Sequence, residues 1–185
     1  MLNHLLISPV RVRWLRWLPT ILAFPFGGLL ARTLVGPADH LTATLLGGAL
    51  FGLVLGTAQA LALHSVVGPH LWIGATTAGL AAGVTLGTAL VDYGTGPSDL
   101  ALQGAISGAA LGAVQFLALR GRLPAAWRWV PLTAVAWMLG WSVTRAIGVD
   151  VEAQYYSFGL SGALLVTVLT GLFAVTLPAT RSGSL

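Results

Sequence analysis

Three groups of polar side chains in this 185-residue sequence have spacings that could support chemistry. Gln59 and Gln115 each stand in an apolar run, one turn beyond a stripe of glycines. An amide there could line a path for a polar solute. His64 and His70 flank the segment HSVVGPH and could approach each other across its Gly-Pro turn. Imidazoles so placed could ligate a haem iron, a pigment magnesium or zinc. Arg32 and Arg145, with Asp92, Asp99 and Asp150 close by in sequence, could form a charged cluster that holds a polar solute or a partner.

Each group also has a plainer reading. An amide in hydrocarbon needs a partner, and a closely packed helix supplies one. The histidines have no carboxylate near them to support a metal, and zinc takes more protein ligands. The arginines can snorkel and pair with loop acids. No nucleophile stands at useful spacing from a base, and neither a His-x-x-x-His zinc signature nor a phosphate-binding glycine loop occurs. These absences point to a protein without enzymatic activity.

The elements that must position these residues follow from composition. The chain is 56% hydrophobic and 8% charged, against about 25% charged residues in a soluble domain. It has too little polar surface to cover a soluble fold. A hydrocarbon core about 30 Å thick needs roughly 20 apolar residues per helix. Six such runs fit, near 15–35, 42–63, 71–91, 100–119, 127–147 and 157–178. They are apolar all round, unlike the alternating strands of a barrel. The expectation is an all-α integral membrane protein with six transmembrane helices, in one membrane domain over 1–185. There is no cysteine, which excludes disulfides, iron–sulfur clusters and covalent haem. All nine basic residues are arginine, which excludes lysine-based covalent chemistry.

Charge sets the orientation. Asp39, Asp92, Asp99, Asp150 and Glu152 fall at the connections after the first, third and fifth helices. Arg11, Arg13, Arg16, Arg120, Arg122, Arg128 and Arg181 fall at the opposite ends. The positive-inside rule then places both termini in the cytoplasm, as in a multi-pass protein of the bacterial inner membrane. The net charge of +4 thereby has a membrane explanation, and nucleic acid is not an expected partner. Residues 1–13 either lie along the inner surface or form a tail, and 179–185 form a second cytoplasmic tail.

A repeat organises the helices. Gly48, Gly52, Gly56 and Gln59 are matched by Gly104, Gly108, Gly112 and Gln115. Trp17, Trp72 and Trp129 are each followed eleven residues later by Gly28, Gly83 and Gly140, a spacing close to three helical turns. The sixth helix keeps Gly162 but has Val166, Thr170 and Phe173 in place of the stripe and the glutamine. The reading is three tandem, like-oriented helical hairpins of about 56 residues, near 14–64, 70–120 and 126–178. They close as a pseudo-threefold bundle or lie as an open row. The glycines give helix-packing grooves, and the tryptophans, at cytoplasmic helix starts, read as interfacial anchors.

The pattern Gly-x3-Gly-x2-Gln-x-Leu-x-Leu, then Trp and a glycine eleven residues on, resembles that of uncharacterised small bacterial polytopic membrane proteins. Gly52, Gly56, Gln59, Leu61, Leu63, Trp72 and Gly83 carry it, and so do Gly108, Gly112, Gln115, Leu117, Leu119, Trp129 and Gly140. That resemblance implies no activity. By size and helix count the chain is also similar to the substrate-binding subunits of energy-coupling-factor transporters. The expected function is a non-enzymatic membrane scaffold or accessory subunit that packs against other integral membrane chains, with structural lipids bound. The alternatives are a small-solute binder or transporter, and a pigment- or haem-binding subunit through His64 or His70.

Overall fold

The structure is a computed structural model and describes residues 14–64, 66–123 and 125–174. The terminal tails and the end of the sixth apolar run lie outside the described residues. Every regular element among the described residues is helical. Helix α1 covers Trp14–Val35, α2 Leu41–Leu63, α3 Pro69–Leu90 and α4 Pro97–Leu119. Helix α5 covers Trp129–Ala146, after a 3-10 turn at Ala126–Arg128, and α6 covers Leu160–Ala174. Helices α1 to α4 are long and apolar enough to cross a membrane.

Local chemistry sets the helix starts. Helices α3 and α4 begin two or three residues before their apolar runs, because Pro69 and Pro97 open them in the first turn. Proline fits there: its missing N–H would have had no intrahelical partner. Helix α1 is 3-10 over Leu18–Leu22 and regular α-helix over Ala23–Val35. Pro19 and Pro25 flank the change, and neither can donate a backbone hydrogen bond there.

Each helix packs on the next in chain order, and α6 returns to α1, so the helices form a closed ring. Two kinds of seam hold it. In the first, Gly48, Gly52 and Gly56 of α2 lie against the α3 backbone at Leu80, Thr77 and Ile73. Gly104, Gly108 and Gly112 of α4 lie likewise against Trp137, Thr133 and Val130 of α5. In the second, Gly27 of α1 faces Phe51 and Val54 of α2, Gly83 of α3 faces Ser107 and Ala110 of α4, and Gly140 of α5 faces Val166 of α6. Gly28, read from the sequence as the counterpart of Gly83, instead abuts Ser157 in the connection before α6. The neighbouring Gly27 occupies the equivalent site.

The interior of the ring is filled. Toward one end, Phe24, Phe51, Trp137 and Phe158 form a cluster with ring centroids 4.9–6.2 Å apart. Toward the other, Trp129 contacts Trp72 at 6.2 Å and Phe173 at 5.4 Å. Offset and edge-to-face pairs of this kind contribute about 0.5–1.5 kcal/mol each beyond area burial.

The acid-bearing connections meet at the first end. Ala38 N–H donates to the Gln154 carbonyl at 3.0 Å, and Gln154 Nε2 donates to the Tyr93 carbonyl at 3.1 Å. Tyr156 O–H lies 3.1 Å from the carbonyls of both Gly36 and Ala43. The α2–α3 connection and the arginine-bearing α4–α5 connection lie at the other end, where Leu63, Val66, Val67, Leu119 and Ala126 share one core cluster with Trp17, Trp72 and Trp129.

Candidate functional site

Both glutamines are buried, and they meet in one hydrogen-bonded network near the arginine-bearing end. Trp72 Nε1 donates to Gln59 Oε1 at 3.1 Å, and Trp129 Nε1 donates to Gln115 Oε1 at 2.7 Å. Gln115 Nε2 donates to Thr76 Oγ1 at 2.9 Å and, more weakly, to Gln59 Oε1 at 3.4 Å. Thr76 O–H in turn donates to the Trp72 carbonyl at 2.9 Å. The network joins α2, α3, α4 and α5.

The helix geometry accounts for this meeting. The glycine stripes let α2 and α4 approach their neighbours so closely that a methyl on Gly56 would sit 2.9 Å from Thr76 Cβ. The glutamine one turn beyond each stripe then reaches the tryptophan that opens the next helix. All the network's side chains are neutral amides, indoles or hydroxyls. Their chemistry is that of a lock that fixes helix register, and none exchanges a proton near neutral pH.

The interfacial-anchor reading of Trp17, Trp72 and Trp129 is corrected by this arrangement. The three are only 1–2% exposed. They point inward because an indole N–H in an apolar body needs an acceptor, and each finds one on the preceding helix of the ring. Trp17 Nε1 donates to the Thr167 carbonyl of α6 at 2.9 Å. A backbone oxygen there replaces the glutamine that α6 lacks. Among the other tryptophans, Trp127 is 60% exposed.

The outer charged cluster does not assemble as expected. Among the described residues His40 Nδ1 meets Asp39 Oδ1 at 2.6 Å, and no ion pair joins Arg32 or Arg145 to Asp92, Asp99 or Asp150. Arg32 Nε donates to the Ala153 carbonyl at 3.0 Å. Asp150 Oδ1 accepts from the Glu152 and Ala153 N–H groups, and Asp99 Oδ2 accepts from Gly96 N–H at 3.3 Å. Asp92 is exposed in a left-handed turn with Tyr93. Arg32 and Arg145 both occupy the last turn of their helices, where the helix dipole favours a cation. That position explains why two arginines stand among the acids.

His64 and His70 are both exposed, and no contact joins them. His64 Nδ1 donates to the Leu61 carbonyl at 2.9 Å. His70 borders an open groove between α3 and α4. Among the described residues no three His, Cys, Asp or Glu side chains gather to hold a metal.

Three residues that matter here were not singled out from the sequence. Thr76 was legible, since it follows Trp72 by four residues as Thr133 follows Trp129. Gln154 and Tyr156 have no repeat counterpart and offered no such signal. Tyr156 lies over Gly47, where any side chain would strike its ring. Burial, and then the Asp39 carboxylate, push its hydroxyl pKa up to about 12, against the opposing pull of Arg32.

The chain matches no protein-family model, no curated protein and no solved structure.

Proposed function

We propose that this protein is a non-enzymatic scaffold or accessory subunit of the bacterial inner membrane. Its six helices would span the bilayer as three tandem, like-oriented hairpins, with both termini cytoplasmic. The observation that carries this reading is the filled ring. The amides and indoles of its buried network are turned on one another, and aromatic side chains cluster inside it at two levels. A solute path through the ring would need the amides to face open space. Gln115 instead engages neighbours through both amide atoms, and Trp72, Trp129 and Phe173 cluster beside it.

The surface left for contact is the outside. Leu22, Phe26, Leu34, Leu61 and Leu90 are each more than 60% exposed, an apolar exterior suited to lipid and to other membrane-embedded chains. The glycine stripes are used within the ring, so partners would meet a leucine-rich face rather than a glycine groove.

The full-length chain, extracted from its own membrane in mild detergent, is expected to migrate on a native gel in a complex with a second integral membrane chain at fixed stoichiometry. A monodisperse single chain of 19.1 kDa without a partner overturns the reading. A periplasm-dependent reporter fused after Leu185 should be inactive, and one within the α5–α6 connection active; the reverse overturns the orientation.

A further inference from the structure

We infer that the groove between α3 and α4 at the arginine-bearing end binds an anionic phospholipid, with the phosphate held by Arg120 and His70 and an acyl chain lying over Gly74. This inference rests on the membrane reading and concerns one site within it.

The groove has a volume of about 490 Å³, and the glycines of α3 show why it exists. A methyl on Gly79, Gly83 or Gly87 would come within 2.9 Å of α4 atoms, whereas one on Gly74 would meet nothing within 4 Å. The two helices are in backbone contact from Gly79 onward and stay joined at Thr76, which accepts from Gln115 Nε2 at 2.9 Å, whereas Gly74, on a different side of α3 from Gly79, faces open space on the flank of the seam. Gly74 is left as the floor of the gap, with Leu71, Val114 and Leu117 as walls. Leu71 is 48% exposed and Leu117 52%. A gap with apolar walls, open to the acyl region, takes a chain rather than a hydrated ion.

Charge selects the headgroup. Arg120 and His70 stand at the mouth, and both are exposed. Among the described residues neither makes an ion pair, and the chain's five acids all lie at the opposite end. Helix α3 also starts here without a side-chain cap, which adds the positive end of its dipole. A phosphodiester with no ammonium of its own meets only attraction at this mouth. A zwitterionic headgroup brings a cation that Arg120 opposes. Each basic residue near a membrane surface strengthens anionic-lipid binding about fivefold.

The test is native mass spectrometry of the full-length protein titrated with phosphatidylglycerol or phosphatidylcholine, with circular dichroism confirming that every variant remains helical. The wild type is expected to retain phosphatidylglycerol preferentially. Arg120→Ala should lower that affinity about fivefold and leave phosphatidylcholine unchanged. Gly74→Leu should lower it as well, by occupying the floor. Arg128→Ala, at the same end but with its guanidinium over the Trp127 ring at 5.7 Å, should have no effect. Equal retention of the two lipids, a preference that survives both groove variants, or an equal loss in Arg128→Ala each overturns the proposal. A chain that fails to enter bilayers at all would instead overturn the membrane reading on which it rests.

Discussion

Gly52→Ala, set against Gly74→Ala, isolates the contribution of close helix approach. Both glycines lie in helix interiors, so alanine gains the same propensity, about 1 kcal/mol, at either site. Their surroundings differ. At Gly52 the new methyl would sit 2.7 Å from Thr77 Cα and 2.8 Å from the Thr76 carbonyl oxygen. Ordinary contact lies at about 3.5–4.0 Å, so α2 and α3 must part by up to about 1 Å. The struck atoms are backbone, and no rotamer change relieves them. A gap of about 0.5–1 Å forfeits a quarter to a half of each dispersion contact along the seam. Overpacking of this kind costs about 1–3 kcal/mol. At Gly74 the methyl enters open space. Gly52→Ala should therefore unfold about 1–3 kcal/mol more easily than Gly74→Ala, because the propensity gain cancels between them. The assay is unfolding of the purified protein by sodium dodecyl sulfate in mixed micelles, followed by circular dichroism at equilibrium. Equal stability of the two variants would refute the claim that glycine stripes bring these backbones together.

Two further perturbations address the network and the acid-bearing end. Trp129→Phe and Gln115→Leu each leave a buried polar atom without its partner, which costs about 1–3 kcal/mol. The double variant should lose less than the sum, with a coupling of about 0.6 kcal/mol and up to about 1.7 kcal/mol, as for hydrogen bonds between membrane helices; strict additivity in the same micelle assay would deny the Trp129–Gln115 bond. Tyr156 should make stability fall in strong alkali. Its hydroxyl titrates near 10 when unfolded and at about 12 when folded, so the unfolded chain binds fewer protons between those values. The tyrosine's contribution is thus complete below pH 10 and lost as pH rises toward 12. Tyr156→Phe should remove that alkaline loss and also weaken the junction at Gly36 and Ala43 through the missing hydroxyl, so an unchanged alkaline profile in the variant would refute the assignment.

What could be read from the sequence was whatever depends on spacing along one helix. Glycines at i, i+4 and i+8 share a face whatever packs against them, so the stripes ending at Gln59 and Gln115 were legible. So was the division of acids from arginines, because helix count alone sets which end a connection occupies. Radial direction was not legible. A tryptophan at a helix start suits both an interfacial belt and a core. The choice for Trp17, Trp72 and Trp129 depends on an acceptor carried by another helix. Pairing of the charges was also hidden. Arg32 and Asp150 bond to backbone groups near Ala153, and the turn conformation that presents those groups leaves no mark on residue spacing.

The sixth helix shows how a ring can close after its repeat has diverged. Phe173 replaces the glutamine, so the indole of Trp17 has no amide to meet. It uses the Thr167 carbonyl, an acceptor that no side-chain substitution removes. Gly171 makes this possible, since a methyl there would come within 2.6–2.7 Å of the Trp17 and Trp14 rings. Phe173 meanwhile packs on Trp129 at 5.4 Å, so the lost hydrogen bond is replaced by ring contact within the same core. Along the rest of this seam α1 and α6 barely touch. The connection between α5 and α6 fills the space, with Ser157 against Gly28 and Phe158 stacked on Phe24 at 5.4 Å. It fills it incompletely, leaving a cavity of about 260 Å³ bordered by Pro25, Leu29, Trp141 and Phe158. A loop cannot interdigitate with a helix as a glycine stripe does, since its backbone must also satisfy its own hydrogen bonds. This cavity therefore lies where the connection, rather than a helix, meets α1.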